Sequence, residues 1–308
     1  MVDVVSFVFD LLTITGIFGI LAISLNMEYG FTGLANFGKV AFFAIGAYTA
    51  GILSRFQGVP FPLDVVCGIL LAGLAGFLVS IPALRLREDY LAITTIAFGE
   101  IVRLIILNED WLTRGPMGIP GIPAPLRDVL AGREWLAFYT GLCFVVLAVV
   151  YWMCERVVNS PYGRVIKAIR EDEVAAQALG KYTFKYKAQM FTLGSAIAGL
   201  AGGLYAHYRQ FISPDMFVPM VTFLIWVMVI LGGKGNNLGV ILGAAVLEVL
   251  ERGTAFIQNI TTLPIEPYNL RMMIIGVLLV VLVLFRPQGL LKEKFIKTRA
   301  LKVGEEKG

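Results

Sequence analysis

Ser160-Pro-Tyr-Gly-Arg-Val-Ile-Lys-Ala-Ile-Arg-Glu-Asp-Glu-Val-Ala-Ala-Gln-Ala-Leu-Gly180 is a water-soluble stretch set in a chain that is otherwise almost continuously apolar. Ser160 supplies a capping hydroxyl and Pro161 a first helical residue that needs no N–H partner. Gly180 is a fitting stop. Val165, Ile169, Ala176 and Leu179 recur at helical steps and form one apolar stripe. Lys167, Arg170, Glu171, Asp172 and Glu173 supply the polar face. The pattern predicts one amphipathic helix of about four turns. An apolar stripe calls for a groove on another molecule. The acidic run Glu171-Asp172-Glu173 argues against rest on an anionic bilayer surface, which repels carboxylates. Small Ala175, Ala176 and Gly180 let a partner's surface come close.

The 308 residues are 57% hydrophobic and only 16% charged, with a mean hydropathy of +0.78. Soluble domains carry about 25% charged residues, so the chain belongs in a bilayer. It reads as a single transmembrane domain over 1–308, with a cytoplasmic loop at 160–187 and a basic tail at 288–308. Cys67, Cys143 and Cys154 lack C-x-x-C spacing, and His207 is the single histidine. A zinc or copper centre built on imidazoles is therefore excluded, and no cofactor is expected. Gly232-Gly-Lys-Gly235 lacks the spacing of a phosphate-binding loop, and no G-x-S-x-G nucleophile motif occurs. The start, Met1-Val-Asp-Val-Val, has no basic n-region and reads as a retained span.

About 20 apolar residues cross a hydrocarbon core as a helix. Nine candidates follow: 4–27, 32–54, 62–83, 90–108, 135–156, 188–211, 217–232, 237–255 and 268–286. The seventh and eighth are short and flanked by glycine, so one of them can be re-entrant or broken. Most of the 26 Lys and Arg residues fall on the side of the 157–187 loop, which the positive-inside bias places in the cytoplasm. The opposite side receives Arg55, Arg114, Arg127, Arg133, Arg209, Arg252 and Arg271. The C-terminus is then cytoplasmic and the N-terminus outside. The net charge of +4 is a topology signal and does not point to nucleic acid.

Small residues at four-residue spacing let helices pack closely in lipid. Gly68, Ala72 and Gly76 fit, as do Ser195, Gly199 and Gly203, and Gly239 with Gly243. Charges inside spans are functional candidates by default. Glu100 is the one convincing mid-span acid. With Arg103 three residues on it shares a helix face, either as a structural ion pair or as a polar stripe beside a pathway, with Thr94 and Thr95 adding hydroxyls. Asn36, beside Gly30, Gly33 and Gly38, is a second pathway candidate. Lys39 lies near enough to a span end to snorkel, and His207 is placed at the outer interface.

The 160–180 loop resembles the cytoplasmic coupling loop of ABC-importer permeases, with its Ala-Ala-x-x-x-Gly core at Ala175, Ala176 and Gly180. More narrowly, the chain resembles the second permease subunit of the branched-chain amino acid importers. The matching segments are Gly30-Phe-Thr-Gly33 with Ala41–Tyr48, then Arg85–Arg103, Gly115–Ile119, Ala168–Glu173, Val229–Gly233 and Phe285–Leu291. Val174 stands where the general motif has Glu, Glu88 replaces a usual Gly, Lys39 a neutral residue and Lys234 a Met. The resemblance implies that Arg170, Glu171, Asp172, Glu173, Ala175, Ala176 and Gly180 couple the bundle to a pair of separate ATPase subunits. It also implies a homologous permease partner, and an extracytoplasmic amino-acid-binding protein docking at the 109–134 loop. The expected location is the cytoplasmic membrane of a prokaryote, in contact with lipid. Permeases for urea or short-chain amides remain close alternatives. An ion-coupled secondary transporter would require coupling carboxylates and repeated halves, and a membrane enzyme would require a catalytic motif.

Overall fold

Apolar runs of 14 to 27 residues satisfy their backbone as helices, the conformation open to a chain in hydrocarbon without a closed barrel. The computed structural model describes residues 4–258, 267–286 and 288–293. Its helices are α1 (Val4–Leu25), α2 (Lys39–Phe56), α3 (Leu63–Ala83), α4 (Glu88–Asn108), α5 (Asp110–Thr113) and α6 (Arg133–Asn159). They continue with α7 (Pro161–Glu171), α8 (Glu173–Ala178), α9 (Thr183–Arg209), α10 (Pro219–Gly232), α11 (Asn237–Gln258) and α12 (Pro267–Phe285). Each of the nine expected spans contains a helix, the second only from Lys39 onward. Among the described residues four of them, within 4–30, 63–83, 89–108 and 133–159, are long and apolar enough to cross a bilayer by length and composition. The protein is a polytopic helical membrane bundle.

The helices α2, α3 and α9 form the centre, and the small-residue rows explain why. A Cβ on Gly199 would lie 2.5 Å from the Ala72 Cβ and 2.8 Å from the Gly68 carbonyl oxygen. One on Gly68 would meet the Gly46 carbonyl at 2.9 Å, and one on Gly203 would meet Val65 at 3.0 Å. The rows Gly68–Ala72–Gly76 and Ser195–Gly199–Gly203 therefore face each other. Gly239 and Gly243 play the same part between α11 and α10, against Gly232 and Met228. Two-thirds of the residues of α2 are buried among neighbouring helices, so it can carry a charge that a lipid-facing helix could not.

The termini of the helices sort into two ends. At one, Thr13 on α1 bonds Thr140 on α6 at 2.7 Å, His207 on α9 meets Asp64 on α3, and Trp135 donates to the Pro125 carbonyl. There a two-stranded antiparallel bridge joins β1 (Ile119–Pro120) to β2 (Phe211–Ile212). At the other, α7 and α8 gather with the α1–α2 junction, the α10–α11 turn and residues 288–293. Residues 294–308 of the expected tail, and Pro287, lie outside the described residues.

Two breaks depart from the expected spans. The second span does not begin at 32: residues 33–38 are not helical, and α2 starts only at Lys39. Before the break, Asn26–Gly30 forms a π-helical turn, a local widening common at functional sites. The seventh span is short because residues 213–218 descend as an extended stretch and a 3₁₀ turn (Pro214–Phe217) before α10 begins. At about 21 Å, α10 is too short to cross the roughly 30 Å core. Its Thr222 hydroxyl, one turn from its start, accepts the Val40 N–H at 3.0 Å. The two discontinuities therefore meet inside the bundle.

Gly199→Leu should lose about 1–3 kcal/mol or more by overpacking. Thermal unfolding in detergent checks this, with Gly141→Leu as control, because a Cβ at Gly141 meets nothing within 4 Å.

Candidate functional site

The break at 33–38 leaves polar backbone in the bundle interior, and side chains from two helices, α4 and α10, satisfy it together with Asn36 of the break itself. Thr95 on α4 accepts the Phe37 N–H at 3.0 Å and itself donates to the carbonyls of Leu91 and Ala92. Trp226 on α10 donates its indole N–H to the Asn36 carbonyl at 3.2 Å and stacks on Phe37, with ring centroids 4.3 Å apart. Thr95 stands about 10 Å along α4 from its first residue, which places this knot well inside the helical layer.

At its heart Lys39 Nζ meets Glu28 Oε1 at 2.7 Å, and neither side chain is exposed at all. Asn36 Nδ2 donates to Glu28 Oε2 at 2.9 Å, and the Asn36 side-chain oxygen accepts the Gly38 N–H. The Glu28 carboxylate lies directly against Gly194 of α9, where any side chain would collide with it. The expectation that Lys39 snorkels to a span end is thus corrected. Because α2 starts late, Lys39 sits at the inner tip of a broken helix and finds a carboxylate within reach. Its partner, Glu28, was legible as an acid but not as an intramembrane one, since its depth depends on the π-turn. Glu248 on α11, 2% exposed and 3.6 Å from Arg252, is a further acid inside a span. Glu100 is therefore not the sole mid-span acid. Arg252 also pairs with Asp10 on α1.

The expected pathway residues separate into two groups. Asn36 and Thr95 are fully enclosed and have their hydrogen bonds within the subunit. Thr94, Glu100 and Arg103 reach the surface of α4. The Arg103 guanidinium forks onto Glu100 with contacts of 2.5 to 3.1 Å, and the Glu100 side chain is 37% exposed. His207 lies at the end opposite α7 and α8 and is enclosed. Its Nε2 is 2.6 Å from Asp64 and its Nδ1 2.7 Å from the Pro123 carbonyl, so it fastens the 114–126 loop to α3.

The amphipathic stretch is two helices rather than one. Asp172 leaves helical geometry and its carboxylate accepts the Ala175 N–H at 2.9 Å, so it caps α8 and ends α7. Aspartate is a strong N-cap, and that signal was present within the acidic run. Ser160 caps α7 as expected, accepting the Gly163 N–H. Gly180, at a φ of +76°, ends α8, and the Lys181 N–H returns to the Ala176 carbonyl. The break redistributes the apolar stripe. Ile166 and Ile169 of α7, with Ala176, turn inward, whereas Val174, Ala175, Leu179 and Tyr182 stand outward. Leu179, expected on the same stripe as Ile169, is 80% exposed.

Arg170 points back into the bundle. It donates to the Gly30 carbonyl at the end of the π-turn, to Glu171 at 2.6 Å and to Glu293 at 2.9 Å. Burial lowers its affinity for a proton, but these carboxylates more than restore it and hold its pKa above the ordinary value. Burial likewise pushes the Glu173 carboxyl up, and hydrogen bonds from Lys187 (2.5 Å) and Thr183 bring it below the usual range. Glu171 and Asp172 are exposed. A cleft of about 310 Å³ between α7 and the α3–α4 turn is lined by Gly33, Leu86, Ile169, Arg170 and Lys187. Among the described residues no group of three His, Cys, Asp or Glu side chains could hold a metal.

A helical membrane bundle with broken helices, buried charge at the break and a polar helix pair at one end has the architecture of a solute permease. The family described as "Branched-chain amino acid transport system / permease component" matches residues 7–283, and the chain belongs to it. It is 36% identical to the high-affinity branched-chain amino acid transport system permease protein LivM of Escherichia coli, over 92% of this chain and 69% of that protein. It is 33% identical to the probable branched-chain amino acid transport permease protein LivM of Methanocaldococcus jannaschii, over 93% and 94%. The probable permease LivH of the same archaeon is 24% identical over 82% and 87%. No solved structure matches.

Lys39→Met leaves Glu28 buried and unpaired and should cost about 3–5 kcal/mol. The double variant Glu28→Gln/Lys39→Met should recover most of that loss. A double-mutant cycle on detergent unfolding reads both values.

Proposed function

We propose that this chain is one permease subunit of an ATP-driven importer that carries branched-chain amino acids (leucine, isoleucine and valine) inward. Family membership and the similarity to LivM over nearly the whole chain support the substrate class. In this reading the end bearing α7 and α8 is cytoplasmic, as the Lys and Arg bias indicates, and the N-terminus lies outside. Hydrolysis resides in two separate ATPase subunits. A homologous permease completes the pore, as the likeness to both LivM and LivH suggests, and a binding protein delivers the amino acid to the 109–134 side.

The observation that carries the coupling role is the outward apolar face of α8. Val174 is 75% exposed and Leu179 80%, at the polar end of a membrane bundle. Exposed apolar side chains beside the capped, rigid Asp172 turn suit a groove on another protein. Behind them, Glu173–Lys187 fastens α8 to α9, and Arg170 reaches the Gly30 carbonyl two residues from Glu28. Nucleotide binding that favours one arrangement of the ATPases would thereby bias the packing of the broken helices. A ligand shifts such an equilibrium only through contacts that differ between states. Glu100, Arg103 and Thr94 flank the pathway on α4, whereas Asn36 and Thr95 hold the break from within.

The test is co-purification followed by uptake in vesicles. The chain should bring an ATPase with it, and the assembly should accumulate leucine only with ATP inside the coupled compartment. Collapse of uptake on dissipating ion gradients with ATP present would favour a secondary transporter. Leu179→Asp should reduce uptake at least tenfold while leaving the melting temperature within a few degrees, because it touches no bundle contact. Arg170→Glu should instead lower stability as well, since it breaks the internal network.

A further inference from the structure

Residues 288–293, after α12, lie against the α10–α11 turn and are built into it as a strap. The Leu290 and Leu291 N–H groups donate to the Leu231 and Gly232 carbonyls at 2.8 and 3.0 Å, and Asn236 donates to the Lys292 carbonyl at 2.9 Å. Leu231 and Gly232 end α10, so theirs are carbonyls that the helix cannot satisfy itself. The two backbones touch. A Cβ on Gly233 would lie 2.8 Å from the Gln288 carbonyl oxygen, and a φ of +110° at this position also favours glycine.

From the strap Glu293 reaches α7. Its Oε2 lies 2.9 Å from Arg170 and its Oε1 3.7 Å from Lys167. These cations are three residues apart, hence on one face of α7, and all three side chains are mostly covered. The carboxyl carbon also sits over the α10–α11 turn, where a Cβ on Gly235 would lie 2.8 Å from it. Covered ion pairs add little net stability compared with apolar packing, so the contribution of this one is to be sought in the arrangement it holds.

The connection continues along α10. Trp226, about 9 Å from Gly232 along the helix, donates to the Asn36 carbonyl, and Thr222, about 15 Å along it, accepts the Val40 N–H. Arg170 separately grips the Gly30 carbonyl. The break at 33–38 is thus held from α7 on both flanks: by Arg170 before it, and through Glu293, the strap and α10 after it.

We infer that Glu293 is a positioning residue for transport, a clasp between α7 and the strap that delivers movement of α7 along α10 to the far flank of the break. With the clasp closed, a displacement of α7 carries both flanks together. With it open, Gly30 follows Arg170 and the Asn36–Val40 side stays behind. This inference rests on the importer reading and adds to it a second route from the ATPases to the broken helices.

Glu293→Gln keeps the shape of the side chain and removes its charge. In vesicles holding the complete complex, with loaded binding protein and ATP, labelled leucine uptake per ATP hydrolysed should fall about fivefold, a usual size for a residue that couples distant sites. Hydrolysis itself should persist, because the outward face of α8 is untouched, and the melting temperature should stay within a few degrees. Trp226→Phe keeps a ring against Phe37, removes the donor to Asn36 and should show a similar loss. The double variant decides whether the two residues share one route: it should then lose no more than the worse single variant, whereas independent effects multiply. A Glu293 that only stabilises the fold would lower the melting temperature and leave uptake per ATP at the wild-type value. That result, or losses that multiply, would overturn the clasp and leave the importer reading intact. Absence of ATP-dependent uptake by the unaltered complex would overturn the importer reading itself.

Discussion

Everything in this subunit accommodates one constraint: backbone that leaves helical geometry inside a bilayer must find its hydrogen bonds within the protein. Between Gly33 and Gly38 the chain does leave it, and Thr95, Asn36, Thr222 and Trp226 supply what the helix no longer does. These four come from three separate elements, so the break exists only in the assembled bundle. The buried Glu28–Lys39 pair belongs to the same solution. A lone charge there would be ruinous, whereas a pair with a third hydrogen bond from Asn36 is tolerable. Such pairs contribute little net stability compared with apolar packing, and they do impose a particular arrangement on the segments that carry them.

Rigidity at the centre and reach at the end follow from different residues. The glycines of α2, α3 and α9 let the backbones of these helices come into direct contact. The end bearing α7 and α8 is held by charged side chains instead. Arg170 ties α7 to the last carbonyl of the π-turn, and Glu293, after α12, meets both Arg170 and Lys167. The strap that carries Glu293 is itself sewn to the α10 end by the Leu290 and Leu291 N–H groups, which donate to Leu231 and Gly232. A displacement of α7 would therefore be felt at once by the ends of α1 and α10, the two elements flanking the break.

Much of this was legible in the residues. Span positions follow from apolar length, the central packing from four-residue spacing of Gly, Ala and Ser, and the start and stop of the lever from Ser160-Pro161 and Gly180. The Asp172 break was legible as well, because an aspartate before Glu-Val-Ala is a capping signal, but the longer amphipathic period outweighed it. The partnership of Lys39 was hidden for a physical reason. Hydropathy counts Lys39 and Glu28 as separate charges eleven positions apart, and only the π-turn and the late start of α2 bring them together. Residue types alone likewise could not separate enclosed Asn36 and Thr95 from Thr94, Glu100 and Arg103 at the surface.

The amino-acid sequence by itself determined a polytopic helical membrane protein, its family and the polar segment between the fifth and sixth expected spans. Each of these depends on local composition and period, which a chain carries wherever it folds. Tertiary structure alone decided which charges are sealed and which are open. It also decided that the second and seventh spans are discontinuous. Those outcomes depend on distances between residues far apart in the chain, and packing sets those distances after the helices have formed.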